Sequence, residues 1–130
     1  MMQKLWLGSL VMRQSIYIEL GDKKIGVVRN PYERVVNLYR ESWNWCGFEK
    51  WLAKAEILSQ TEVYRDCIFV VTLESWESDF KALGITPDKK SMELLYKKYS
   101  SDYRRWYDTS LKDMITPIAQ TDLDTYGYRF

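Results

Sequence analysis

The chain predicts an α/β protein, a small, mostly parallel sheet with an N-terminal hairpin, covered by helices and wholly helical in its last third. Three observations carry this expectation. Residues 15–20 and 24–28 are strand-like and are separated by Gly21-Asp22-Lys23, a tight-turn sequence, so the two runs form a β-hairpin. The second run ends on Val28-Arg29 and passes straight into Asn30-Pro31-Tyr32-Glu33, which is helix-start chemistry. A further apolar run over 67–72 is followed by Ser75 and, nine residues on, Gly84, the stop and start signals of a short helix.

Taken in order, Asn30 suits the N-cap and Pro31 the first helical position, where its missing N–H costs nothing, while Glu33 can reach back to the cap's own N–H. Tyr32, Val35, Val36, Tyr39 and Trp43 then recur at helical spacing and define one apolar face. A second helical region is expected over 48–64, and the 67–72 strand should lie parallel to the strand before Arg29. After Pro87 a short helix is expected over 91–98. Ser100 or Ser101 should cap an aromatic helix whose stripe of Tyr99, Tyr103, Trp106, Tyr107, Leu111 and Met114 packs on the sheet, with Pro117 starting a last helix. Gly127 and Phe130 suggest a tail docked on the body, so removing residues 126–130 should lower the melting temperature.

Length and charge bound the function. The 130 residues suit one domain over 1–130, with 1–24 as a divergent start. A balance of 19 basic to 18 acidic residues leaves no extended basic surface, so neither nucleic acid nor a membrane is an expected partner. Lys89-Lys90, Lys97-Lys98 and Arg104-Arg105 read as solvated faces. Without a basic start, long apolar segment and small-residue cleavage site, the N-terminus predicts a cytoplasmic protein. Cys46 and Cys67 are the only cysteines and there is no histidine, which excludes a standard zinc site; no metal is expected. Cys67 reads as a small core residue and Cys46, beside Gly47, as an exposed thiol.

The strand-to-helix junction is the candidate site. Unpaired N–H groups at a helix start, together with the positive end of its dipole, can hold an anion beside the Arg29 guanidinium; pairing of Arg29 with a carboxylate is the equal alternative. In the absence of histidine a catalytic base would be a carboxylate, and Glu19 and Glu41 are the candidates. Glu74, at a strand end, reads instead as a partner for backbone donors or an arginine. Trp43, Trp45 and Trp51 surround a loop-like break at 44–48, which is a candidate acceptor or partner surface or else an aromatic hinge closing over the core.

Val28-Arg29-Asn30-Pro31-Tyr32-Glu33-Arg34, followed by Asn37-Leu38-Tyr39-Arg40, resembles the phosphate-binding strand and helix of the sulfotransferases, which use 3'-phosphoadenosine 5'-phosphosulfate. The resemblance implies that Arg29 and the position of Asn37 hold the 3'-phosphate of that nucleotide. The family's serine is replaced here by Asn37, whose amide can still donate to a phosphate oxygen. Ile68-Phe69-Val70-Val71-Thr72-Leu73-Glu74, running on to Leu83-Gly84-Ile85, is similar to the family's later strand, glutamate and short helix. Asp122-Leu123-Asp124-Thr125-Tyr126-Gly127-Tyr128-Arg129-Phe130, preceded by Tyr99-Ser100-Ser101, resembles its C-terminal pattern.

The likeness implies a truncated P-loop-like sulfotransferase fold. Family members open with a strand and a loop rich in Lys, Gly, Thr and Ser around the 5'-phosphosulfate; here only Gly8-Ser9 precedes Arg29 as a counterpart, and the hairpin stands in place of that lobe. Two functional classes follow. One is a sulfotransferase-like nucleotide binder transferring a sulfuryl group to an unidentified acceptor, completed by a second copy or another protein chain; Lys4 and Arg13 are the residues such an assembly would draw on. The other is a non-catalytic module of the same fold, acting in interaction or assembly.

Overall fold

Alternation and turn chemistry produce the hairpin. The computed structural model describes residues 10–12, 15–41, 47–100 and 102–130. Strand β1 is Leu10–Met12, and β2 (Tyr17–Leu20) pairs antiparallel with β3 (Lys23–Val28) across Gly21-Asp22, with Leu20 opposite Lys23. Gly21 takes a positive φ of 64°, the conformation a two-residue hairpin turn needs and one a glycine adopts without a Cβ clash. Helix α1 (Pro31–Glu41) follows, then α2 (Phe48–Lys54), β4 (Ala55–Ile57), α3 (Gln60–Val63), β5 (Phe69–Thr72), α4 (Trp76–Leu83), α5 (Lys89–Tyr99), a 3₁₀ turn at Tyr103–Trp106 and α6 (Thr109–Tyr126).

The sheet is mixed, in the order β2-β3-β5: β5 lies parallel to β3, with Ile25 opposite Phe69 and Val28 opposite Thr72. A separate parallel pair joins β1 to β4. The architecture is therefore α/β, with one antiparallel and one parallel pairing in its three-stranded sheet.

Period-two alternation assigns the two faces of β3. Ile25 and Val27 join Val71, Leu73, Phe80 and Met92 in a core formed by the sheet with α4 and α5. Gly26 faces the other way, where the Tyr64 ring lies so close that a Cβ on residue 26 would stand 2.7 Å from Tyr64 Cδ1. A second core, among α1, α2, α6 and the 3₁₀ turn, contains Tyr32, Val35, Val36, Tyr39, Trp51, Tyr103 and Ile115. Tyr39, Phe48, Trp51 and Trp106 meet there with ring centroids 5.2–6.2 Å apart.

Several expectations are corrected. The region 48–64 is not continuous helix: β4 interrupts it, because Ala55–Ile57 pairs with β1, a partner some forty-five positions away. The aromatic stripe does not form one helix. Tyr99 ends α5, Tyr103 and Trp106 lie in the 3₁₀ turn, and Leu111 and Met114 belong to α6, which begins after the N-cap Asp108. The Asp108 carboxylate accepts from Leu111 N–H at 2.8 Å, a local bond that competes with helix through this point. Most of the stripe packs on α1, and Tyr99 alone packs with the sheet core. Pro117 lies inside α6, exposed, instead of starting it. Cys67 is half-buried, outside both cores, since β5 starts only at Phe69 and the intervening Ile68 is 88% exposed.

Other expectations are met. Gly84 caps α4 with φ 70° and Gly127 caps α6 with φ 73°. The tail docks: the Phe130 ring meets Tyr32, Tyr103 and Tyr107 at 4.8–5.6 Å, and the Phe130 main-chain oxygen accepts from Tyr103 Oη at 2.6 Å. Both residues of each basic pair are exposed. Lys4, Gly8, Ser9, Arg13, Trp43, Trp45, Cys46 and Ser101 lie outside the described residues, whereas Trp51 is a core residue of α2.

Candidate functional site

Asn30 caps α1 as its position predicts, with Oδ1 accepting from the N–H of Tyr32 at 3.0 Å. Its own N–H does not go to Glu33. That donor is taken by Glu74 Oε2 at 2.7 Å, and Glu74 Oε1 accepts from Tyr128 Oη at 2.6 Å. Glu74 therefore ties the start of α1 to the C-terminal tail, the backbone-satisfying role its place at a strand end suggested. The Asn30 amide adds a second tie, donating from Nδ2 to the Arg129 carbonyl at 2.7 Å.

Arg29 continues the alternation of Ile25 and Val27, so its side chain falls on the face that α5 covers. It is 1% exposed, and its guanidinium carbon lies 4.4 Å from the centroid of the Tyr99 ring. Asn37, 6% exposed, stands one face along α1 and donates from Nδ2 to the main-chain oxygen of Tyr99 at 3.0 Å. Arg29 and Asn37, eight positions apart and on different elements, thus converge on one residue. The spacing that places Asn37 there also places Glu33 and Glu41 four positions to either side on the same helix stripe.

The electrostatics follow from burial. Loss of water is the largest influence on Arg29 and pushes its pKa below the ordinary value, opposed by the Tyr99 phenol and the carboxylates of Glu33 and Glu41. Arg34, also on α1, is brought down to about 10 by burial, with Asp122 opposing; its Nη1 donates to the Leu58 carbonyl at 2.6 Å.

Two residues central to this site were not marked by the sequence for the roles they take, although Asp122 opens the C-terminal pattern. Gln60 is 1% exposed, and its amide pairs both main-chain groups of Arg29: Oε1 accepts from Arg29 N–H at 2.8 Å and Nε2 donates to Arg29 C=O at 2.6 Å. A side-chain amide here does the work of a neighbouring strand. Asp122, also 1% exposed, caps α3 from α6, accepting from the N–H groups of Gln60 and Thr61 at 2.8 Å each and from Thr61 Oγ1 at 2.9 Å. The series Asp122, Gln60, Arg29 fixes where the arginine leaves the strand. Partners 31 and 62 positions distant could not be read from local pattern.

A cleft of about 220 Å³ opens at the start of α1, lined by Asn30, Glu33, Glu74, Ser100 and Tyr103 among others. It shares Glu74 and Tyr96 with an outer cleft of about 490 Å³ that also exposes Glu77 and Glu93. Of the other candidate carboxylates, Glu19 is exposed on β2, while Glu41 contributes charge at Arg29. Among the described residues no group of three or more His, Cys, Asp or Glu is placed to hold a metal, and no helix is long and apolar enough to cross a membrane.

Comparison with protein-family models, with curated proteins and with solved structures finds no match to this chain.

Proposed function

We propose that the chain is a sulfotransferase-fold protein that binds a 3'-phosphoadenosine nucleotide, with Arg29 and Asn37 holding the 3'-phosphate. The supporting observation is their convergence: a strand-end guanidinium and a helix amide, on the two positions the sequence motif marks, meet at Tyr99 alongside α1. This donor set suits a phosphate, which takes charge-assisted hydrogen bonds from a guanidinium and ordinary ones from an amide. The space suits one only when Tyr99 is displaced. When bound, 3'-phosphoadenosine 5'-phosphosulfate supplies an activated sulfuryl group. Among the described residues no cationic loop is assigned to that end of the nucleotide, so transfer would draw on segments outside them or on a second chain, either another copy or a protein partner.

A second reading, a non-catalytic module of this fold, is favoured by the carboxylates of Glu33 and Glu41. Both add negative charge at Arg29, which suits a structural guanidinium more than one reserved for an anion.

Calorimetric titration separates the two. Wild-type protein should bind 3'-phosphoadenosine 5'-phosphate and discriminate against adenosine 5'-phosphate, which lacks the 3'-group. Asn37→Ala and Arg29→Lys should each weaken binding of the first while leaving the second unchanged. Ligand at a hundred times its dissociation constant should also add about 2.7 kcal/mol of stability, visible as a thermal shift. Equal or absent binding of both nucleotides would support the interaction module.

A further inference from the structure

We infer that the last turn of α5, which carries Tyr99, is a lid over the Arg29 and Asn37 pair that a bound nucleotide must lift. This rests on the nucleotide-binding reading above and adds how access to that site is controlled.

Tyr99 covers both residues, bonding the Asn37 amide and lying over the face of the Arg29 guanidinium. Its carbonyl oxygen accepts from Asn37 Nδ2 at 3.0 Å, as a phosphate oxygen would, and its ring covers the guanidinium at 4.4 Å. Arg29 is 1% and Asn37 6% exposed, so a phosphate reaches their donors only once the Tyr99 cover moves.

The element carrying Tyr99 is lightly held. Of the eleven residues of α5 only Met92 is buried, and Leu95 and Tyr99 are the partly buried apolar residues that join it against the sheet. Glu93, Leu94, Tyr96, Lys97 and Lys98 are exposed. A helix with so few buried apolar contacts belongs to the low-stability end of a fold, from which lids are drawn. Its last turn is closed by Ser100 N–H donating to the Tyr96 carbonyl at 2.8 Å.

Space to move into adjoins the lid. Ser100, next to Tyr99, lines the cleft of about 220 Å³ at the start of α1, together with Asn30 and Glu33. Withdrawal of Tyr99 would uncover Arg29 and Asn37.

The test is titration of wild type, Tyr99→Ala and Tyr99→Phe with 3'-phosphoadenosine 5'-phosphate, with hydrogen exchange at the Ser100 amide in the wild-type chain. Removing the ring should tighten binding about tenfold, the scale of one partly desolvated cation–π contact no longer in competition, and Tyr99→Phe, which keeps the ring, should match wild type. Exchange at Ser100 should quicken when ligand binds. If wild type binds but Tyr99→Ala binds equally or more weakly, or if Ser100 exchange slows on binding, the lid is overturned and the nucleotide site stands. If no folded protein of the three binds, the nucleotide reading falls and the lid with it. The exchange measurement needs no variant, so it decides the matter even where Tyr99→Ala does not fold.

Discussion

Replacing Gln60 by Leu removes the side-chain amide that pairs with the Arg29 peptide while keeping side-chain size nearly constant. Two hydrogen bonds are lost, at 2.8 and 2.6 Å, and the N–H and C=O of a residue 1% exposed are left dry. A buried backbone group without a partner costs about 1–3 kcal/mol, so the pair costs roughly 4 kcal/mol. Set against typical domain stabilities of about 5–15 kcal/mol, that is a large share. At about 3–4 °C per kcal/mol for a chain of this size, the melting temperature should fall by roughly 12–16 °C. Urea denaturation followed by tryptophan fluorescence and a calorimetric melt would measure it. Gln60→Glu sharpens the test, because it keeps the acceptor for Arg29 N–H but turns a carboxylate oxygen toward the Arg29 carbonyl and the Asp122 carboxylate, and should destabilise at least as much at neutral pH. A fall of under about 3 °C for Gln60→Leu would refute the reasoning. It would mean that water or another donor reaches the Arg29 peptide.

Three further outcomes are expected. Gly26→Ala should cost about 1–3 kcal/mol, because its Cβ meets the Tyr64 ring at 2.7 Å, whereas Gly47→Ala, with nothing within 4 Å, should stay within about 0.5 kcal/mol of wild type in the same denaturation assay. Phe130→Ala should lower stability by about 2–3 kcal/mol through loss of its edge contacts to Tyr32, Tyr103 and Tyr107, read as a lower urea midpoint. Burial raises the Tyr64 phenol from 10.0 to about 12, so the folded state holds that proton more tightly than the unfolded chain. Its stabilisation is complete below pH 10 and is lost as pH rises toward 12; Tyr64→Phe should flatten this alkaline limb, although it also removes the acceptor for Ile16 N–H.

Features whose causes are local were legible in the chain. The hairpin follows from alternation about Gly21, the start of α1 from Asn30 and Pro31, and the end of α4 from Gly84, each a matter of a few adjacent residues. The structural role of Glu74 was also legible, because a carboxylate at a strand end next to a helix start meets unpaired N–H groups. Features set by distant partners were not. Strand β4 depends on pairing with β1, and the places of Gln60 and Asp122 depend on each other and on Arg29. The aromatic stripe misled because steps of three and four persist across the end of α5 and the 3₁₀ turn, up to Asp108, whose carboxylate bonds Leu111 N–H and begins a new helix. Pro117 misled because its usual place is the first turn; on the exposed side of α6 it is accommodated in mid-helix. At the candidate site the sequence marked Arg29 and Asn37, and their meeting under Tyr99 depended on the path of α5.

The most direct test of the nucleotide site is a ¹H–¹⁵N spectrum of labelled protein titrated with 3'-phosphoadenosine 5'-phosphate. The largest shifts should fall at the Asn37 side-chain amide, at the Arg29 guanidinium Nε–H and at the Ser100 amide. Unchanged spectra, or shifts confined to the outer cleft around Glu77 and Glu93, would contradict it.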